Sequence, residues 1–130
     1  MTIEVKSVLI CEDIRREDTG KLMLIGVYGR DIGFVRFPAA AAFRLSVRLE
    51  TDKPIEGTME FHCFLDDDLR STTKGQIKID RAGIAMLNTP PLILEDIESE
   101  ALLTIKWTTP ENDKLEQLFS IPIVDGSNRT

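Results

Sequence analysis

Phe43, Leu45, Val47 and Leu49 alternate with Arg44, Ser46, Arg48 and Glu50. A two-residue period of this kind marks a strand with one buried face and one wet face. The pattern returns in Met59, Phe61, Cys63 and Leu65, set against Glu60, His62 and Phe64. It returns again in Ala101, Leu103, Ile105 and Trp107, and in Phe119, Ile121 and Ile123. Weaker strand signals cover 3–11, 21–28, 32–37, 75–79 and 92–95. Turn-forming runs separate these segments: Asp18-Thr19-Gly20, Asp52-Lys53-Pro54, Asp66-Asp67-Asp68, Arg81-Ala82-Gly83, Pro90-Pro91 and Pro110-Glu111-Asn112-Asp113. About nine short strands, punctuated so regularly, predict an all-β fold, a two-sheet antiparallel β-sandwich. A helical turn has room only in 94–103, where Glu95, Asp96, Glu98, Ser99 and Glu100 break the alternation.

The chain of 130 residues fits one domain. Residues 1–124 are read as that domain and 125–130 as a frayed C-terminal tail. A chain of this length buries roughly two-thirds of its unfolded surface, so it folds without a covalent staple. Met1 to Lys6 places Glu4 and Lys6 where a signal peptide has its apolar core. The expected location is therefore cytoplasmic, where Cys11 and Cys63 stay reduced as two buried thiols. The sequon Asn128-Arg129-Thr130 matters only in a secreted protein.

Charge narrows the function classes. With 22 acids against 16 bases the net charge is -6, which argues against nucleic acid as a partner, because phosphate backbones demand a basic surplus. No stretch approaches the roughly 18 uncharged apolar residues of a membrane span.

The most distinctive segment runs from Cys11-Glu12-Asp13-Ile14-Arg15-Arg16-Glu17 through Gly20-Lys21-Leu22-Met23-Leu24-Ile25-Gly26-Val27-Tyr28. It reads as a strand end, a charged loop and a second strand. Leu22 and Leu24 face one side of the second strand, and Met23, Ile25 and Val27 the other, so this strand is expected to be central and covered on both faces. The segment resembles an uncharacterised family of small bacterial proteins, a domain of unknown function. Its members share a C-[DE]-D-[IV]-R-x-E run followed by G-K-x-x-L-I-G-V-Y. The resemblance covers about the first thirty residues. It implies an all-β sandwich and carries no activity, cofactor or catalytic residue.

Candidate chemistry is sparse. His62, the single histidine, points away from its neighbour Cys63 by strand alternation, so the two form no nucleophilic pair. Gly20-Lys21 is followed by leucine rather than the Ser or Thr of a phosphate loop. One histidine and two distant cysteines do not make a zinc site. No cofactor is expected. Aspartate-rich loops at one end of a sandwich hold calcium in some folds, which makes Asp66, Asp67, Asp68 and Asp113 the metal candidates. The arginines Arg15, Arg16 and Arg70 lie near such acids in sequence and neutralise them without metal. Glu12, Asp13, Ile14, Arg15, Arg16 and Glu17 form a candidate partner-recognition loop, with Ile14 as an apolar anchor ringed by charge.

Pairings follow from keeping apolar sets on one face. The segments 101–108 and 115–123 are expected as a hairpin, with Trp107 opposite Leu115, Lys106 opposite Glu116 and Leu103 opposite Phe119. Gln117 is the misfit on that apolar face. The segments 43–51 and 57–65 are expected as adjacent strands with Arg48 opposite Glu60 and Ser46 opposite His62. The function expected is a non-enzymatic interaction or structural module, with a homo-oligomer formed through a sheet edge and any further protein partner unspecified. The alternatives are a calcium- or anionic-ligand-binding module of C2-like architecture and, third, an enzyme.

Overall fold

The computed structural model describes residues 3–127. The described residues form ten strands and no helix: β1 (Ile3–Arg16), β2 (Leu22–Val27), β3 (Ile32–Phe34), β4 (Ala39–Thr51), β5 (Ile55–Leu65), β6 (Asp68–Ile79), β7 (Gly83–Asn88), β8 (Leu92–Ile97), β9 (Ala101–Thr109) and β10 (Asn112–Asp125). They form two five-stranded sheets. The first has the order β2-β1-β4-β7, with β8 continuing alongside β4; the second has the order β3-β10-β9-β5-β6. All pairs are antiparallel except β3 with β10.

The alternating residues meet in one core. Phe43, Leu45, Val47 and Leu49 of β4 face Met59, Phe61, Cys63 and Leu65 of β5, together with Leu103, Ile105 and Trp107 of β9. Trp107 is 5% exposed and sits directly across from Phe61, with ring centroids 6.3 Å apart. Both cysteines are free and buried.

The expected pairing of 43–51 with 57–65 is wrong. These strands lie in different sheets: β4 pairs with β1 on one side and with β7 and β8 on the other, so no free edge is left for β5. The link 52–54 crosses between sheets instead. Alternation correctly marks which face of each strand is buried, but facing sheets satisfy it as well as adjacent strands do. Arg48 and Ser46 consequently lie on the first sheet and Glu60 and His62 on the second. Glu60 is opposite Lys74 and Thr108.

The hairpin of β9 and β10 forms, but in another register. Trp107 is opposite Glu116, Lys106 opposite Gln117 and Leu103 opposite Ile121. Irregularities between Asn112 and Glu116 and between Gln117 and Phe119 shift the ladder. The second one lets Gln117 sit opposite Lys106 while Phe119 returns to the core face opposite Ile105. A bulge thus resolves the misfit at Gln117.

Other expectations shift too. Residues 94–103 contain no helical turn; β8 runs to Ile97, with Asp96 in a left-handed conformation at φ 54°. The expected tail is docked as far as it is described. Asp125 ends β10, and Gly126 donates its N–H to the Phe34 carbonyl at 2.8 Å. The sequon at Asn128 lies outside the described residues. β7 was not foreseen. Its run Ile84-Ala85-Met86-Leu87 is apolar without alternation.

Candidate interaction face

In β4, odd-numbered Leu45, Val47 and Leu49 fill the core, so Arg44, Ser46, Arg48 and Glu50 point outward. The register extends this outer face across the sheet. One row reads Leu9–Ser46–Asn88, the next Ser7–Arg48–Met86, and the next Glu4–Glu50–Ile84. On the far side, Cys11, Asp13 and Arg15 of β1 carry Val27, Ile25 and Met23 of β2 beside them. Leu9, Met23, Val27, Ile84 and Met86 are each 45–50% exposed. Ser46 is buried between Leu9 and Asn88; its Oγ and the Asn88 Oδ1 are shielded and lack a hydrogen-bond partner.

The second sheet's outer face differs. There Glu60 and His62 of β5 lie between Lys74 and Thr72 of β6 and Thr108 and Lys106 of β9. Phe64 is covered by the Lys106 ammonium 5.0 Å above its ring. His62 Nε2 is 3.2 Å from Glu60 Oε1. The second sheet's outer face is mainly polar, with Leu69 and Leu102 half exposed and His62 Nδ1 shielded without a partner; the first sheet's outer face carries more half-exposed apolar side chains, set among charged ones.

The strand 22–27, expected to be central, is an edge strand. Its two apolar faces were the sequence signal for an open apolar surface, because nothing among the described elements packs over Met23 and Val27. The residues 12–17 are not a loop: β1 continues to Arg16, and a tight turn closes with the Gly20 N–H donating to the Glu17 carbonyl at 2.9 Å. Ile14 is 8% exposed and cannot serve as an exposed anchor. The Glu12 side chain lies against Gly26, whose φ of 66° and closeness leave no space for a Cβ. Asp13 accepts from the Ile14 N–H at 2.9 Å and from Arg15 Nε at 3.2 Å, and the Arg15 hydrogen bond is the main cause holding its carboxyl below the usual range. Arg44 ties β1 to the β7–β8 link across β4, donating to the Thr89 carbonyl at 2.8 Å and the Ile14 carbonyl at 3.3 Å. Arg16 and Glu17 are exposed at the hairpin tip.

No family model matches the chain, and no curated protein does.

The calcium candidates are not brought together. Asp66, Asp67 and Asp68 turn from β5 into β6 beside the start of β9, whereas Asp113 follows the far end of β9. Asp66 Oδ1 accepts from the Leu102 N–H at 3.0 Å, and Asp68 Oδ2 is 3.8 Å from Arg70 Nε. These carboxylates therefore cap a strand and pair an arginine. Arg70 performs the neutralising role expected of it, while Arg15 serves Asp13. Among the described residues no three His, Cys, Asp or Glu converge as metal ligands. No described helix is long and apolar enough to cross a membrane.

A cleft of about 570 Å³ opens between Ile3–Val5 and the β9–β10 hairpin, with Trp107 in its lining. Its carboxylates are engaged: Glu4 with Lys6 at 3.1 Å, Glu111 with Lys53 at 3.5 Å, and Glu116 with Asn112 at 2.6 Å. It contains no histidine, cysteine or serine.

Proposed function

We propose that the protein is a non-enzymatic interaction module that meets a protein partner through the outer face of its first sheet. The observation carrying this reading is the contrast between the two outer faces. The first sheet's outer face bears five half-exposed apolar side chains, Leu9, Met23, Val27, Ile84 and Met86, whereas the second sheet's bears Leu69 and Leu102 among mainly polar residues. Contiguous exposed apolar surface marks contact sites. The reading places the module in the bacterial cytoplasm, in keeping with the resemblance of residues 11–28 to an uncharacterised bacterial family and with the two free thiols.

A photo-crosslinking side chain at Leu9, on this face, and another at Lys74, on the second sheet, test the reading in cells. The expected result is a discrete crosslinked protein from position 9 and none from position 74. Equal crosslinking from both positions, or none from position 9, overturns it.

A further inference from the structure

The first sheet has an unpaired border at β7. This strand pairs only with β4, through six consecutive residue pairs without a bulge. Its sequence, Gly-Ile-Ala-Met-Leu-Asn, has no charge and no proline. Its core-side residues Ala85 and Leu87 are only partly buried, and Ile84 and Met86 are half exposed on the outer face.

The other free borders carry features that discourage pairing. β6 has Arg70, Lys74 and Lys78 along it. β3 is three residues long. β8 contains Glu95 and Asp96, with a positive φ at Asp96. β2 has a positive φ inside the strand, at Gly26. Edge strands expose unpaired N–H and C=O groups, and charges, bulges and short length are the usual protections. β7 carries no charge and no bulge, and its one positive φ lies at its first residue, Gly83, outside the run Ile84 to Leu87.

We infer that β7 pairs with β7 of a second copy of this chain, antiparallel about a two-fold axis through Ala85, joining two first sheets into one. The inference rests on the reading of that sheet as the interaction surface. Charge selects both the occupant and the register. Outer residues must stay with outer residues, so the register moves only in steps that keep Ile84 and Met86 on one face. With Met86 opposite its own copy, the Arg48 row meets the other Arg48 row. With Ile84 opposite Met86, the row Glu50–Ile84 continues into Met86–Arg48 of the other copy, and the symmetry repeats this on the other side of the axis. Glu50 and Arg48 backbones are then three strand spacings apart, about 14 Å. Their side chains extend toward each other over Ile84 and Met86. Arg48 is exposed and has no ion-pair partner among the described residues; Glu50 is half exposed, with Lys6 Nζ 3.8 Å away in its own chain, an exposed pair that competes only weakly. Two reciprocal pairs of opposite charge favour a second copy in this register over any uncharged edge.

Sedimentation velocity on the full chain tests the inference, with circular dichroism confirming that each variant folds. The wild type is expected to dimerise reversibly. Arg48→Glu and Glu50→Arg are each expected to weaken the dimer by about tenfold, as two exposed pairs turn repulsive. Combining both substitutions in one chain restores it. Ala85→Cys is expected to give a covalent dimer under mild oxidation, because opposed Cα atoms about 4.5–5.5 Å apart lie within disulfide reach. Ile93→Cys on β8 is expected to stay uncrosslinked. A chain that sediments as a monomer at millimolar concentration overturns the inference. So does a dimer indifferent to Arg48→Glu with Ala85→Cys uncrosslinked. A monomer whose position 9 crosslinks to a different protein overturns the second-copy inference and leaves the interaction reading standing.

Discussion

Replacing Trp107 with alanine probes the junction of the core with the cleft above it. Trp107 is 5% exposed and packs across from Phe61, which is fully buried. A large aromatic buries about 150–250 Å², worth roughly 4–6 kcal/mol at ~25 cal/mol per Å². Measured truncations of Phe or Trp to alanine cost about 3–5 kcal/mol. Trp107 lines an open cleft of about 570 Å³, so water enters part of the vacated space and no sealed cavity remains. The expected loss therefore falls at the lower end, about 3 kcal/mol, and Phe61→Ala, deeper in the core, costs about a further 1 kcal/mol. The assay is urea unfolding followed by circular dichroism, since the substitution removes the single tryptophan fluorophore. The midpoint should fall with an unchanged slope. A loss under about 1 kcal/mol at Trp107, or a larger loss there than at Phe61, would refute the placement of Trp107 at the wetter margin of the core.

Gly57 has a φ of 154°, and a Cβ added there would meet Pro110 Cγ at 2.7 Å. Gly57→Ala should cost about 2–3 kcal/mol, because the proline ring cannot rotate aside and the backbone conformation suits glycine alone; a change under 0.5 kcal/mol in thermal unfolding would contradict this contact. Burial pushes the Cys11 and Cys63 thiols above the ordinary value. Stability should be full below about pH 8.5 and decline as pH rises past it, where the unfolded chain releases thiol protons that the folded chain retains. Cys63→Val should flatten that decline; an unchanged alkaline slope would remove the thiol from the account. Both thiols should label slowly in native protein, and both should label rapidly in denatured protein without reductant.

The sandwich was legible because alternation is strict where a strand has one wet face, as in Phe43 to Leu49 and Met59 to Leu65. β7 was not, because Ile84 to Leu87 is apolar at every position and carries no period. Pairing was less legible than burial. Parity identifies the core face of β4 and of β5 but says nothing of whether the three-residue link between them turns within a sheet or crosses between sheets. Register failed at β10, where a bulge moves Gln117 out of an apolar row that parity alone would have kept intact. The charged segment 12–17 drew attention by composition, yet pairing with β2 absorbs most of it and Ile14 turns inward. The open face was readable in Met23, Ile25 and Val27 opposite Leu22 and Leu24. A strand apolar on both faces is either central or exposed, and only the sheet order of this protein decides for exposed.

Methionine oxidation footprinting reads whether the open face is covered by a partner. Met23 and Met86 lie on the open face at 45% and 50% exposure, and Met59 lies in the core at 1%. In dilute purified protein, Met23 and Met86 should oxidise rapidly and Met59 slowly. In unfractionated cell extract at native concentration, Met23 and Met86 should become protected while Met59 is unchanged. Equal oxidation rates for Met23 and Met86 in the two settings would contradict the claim that this face is where the protein meets its partner.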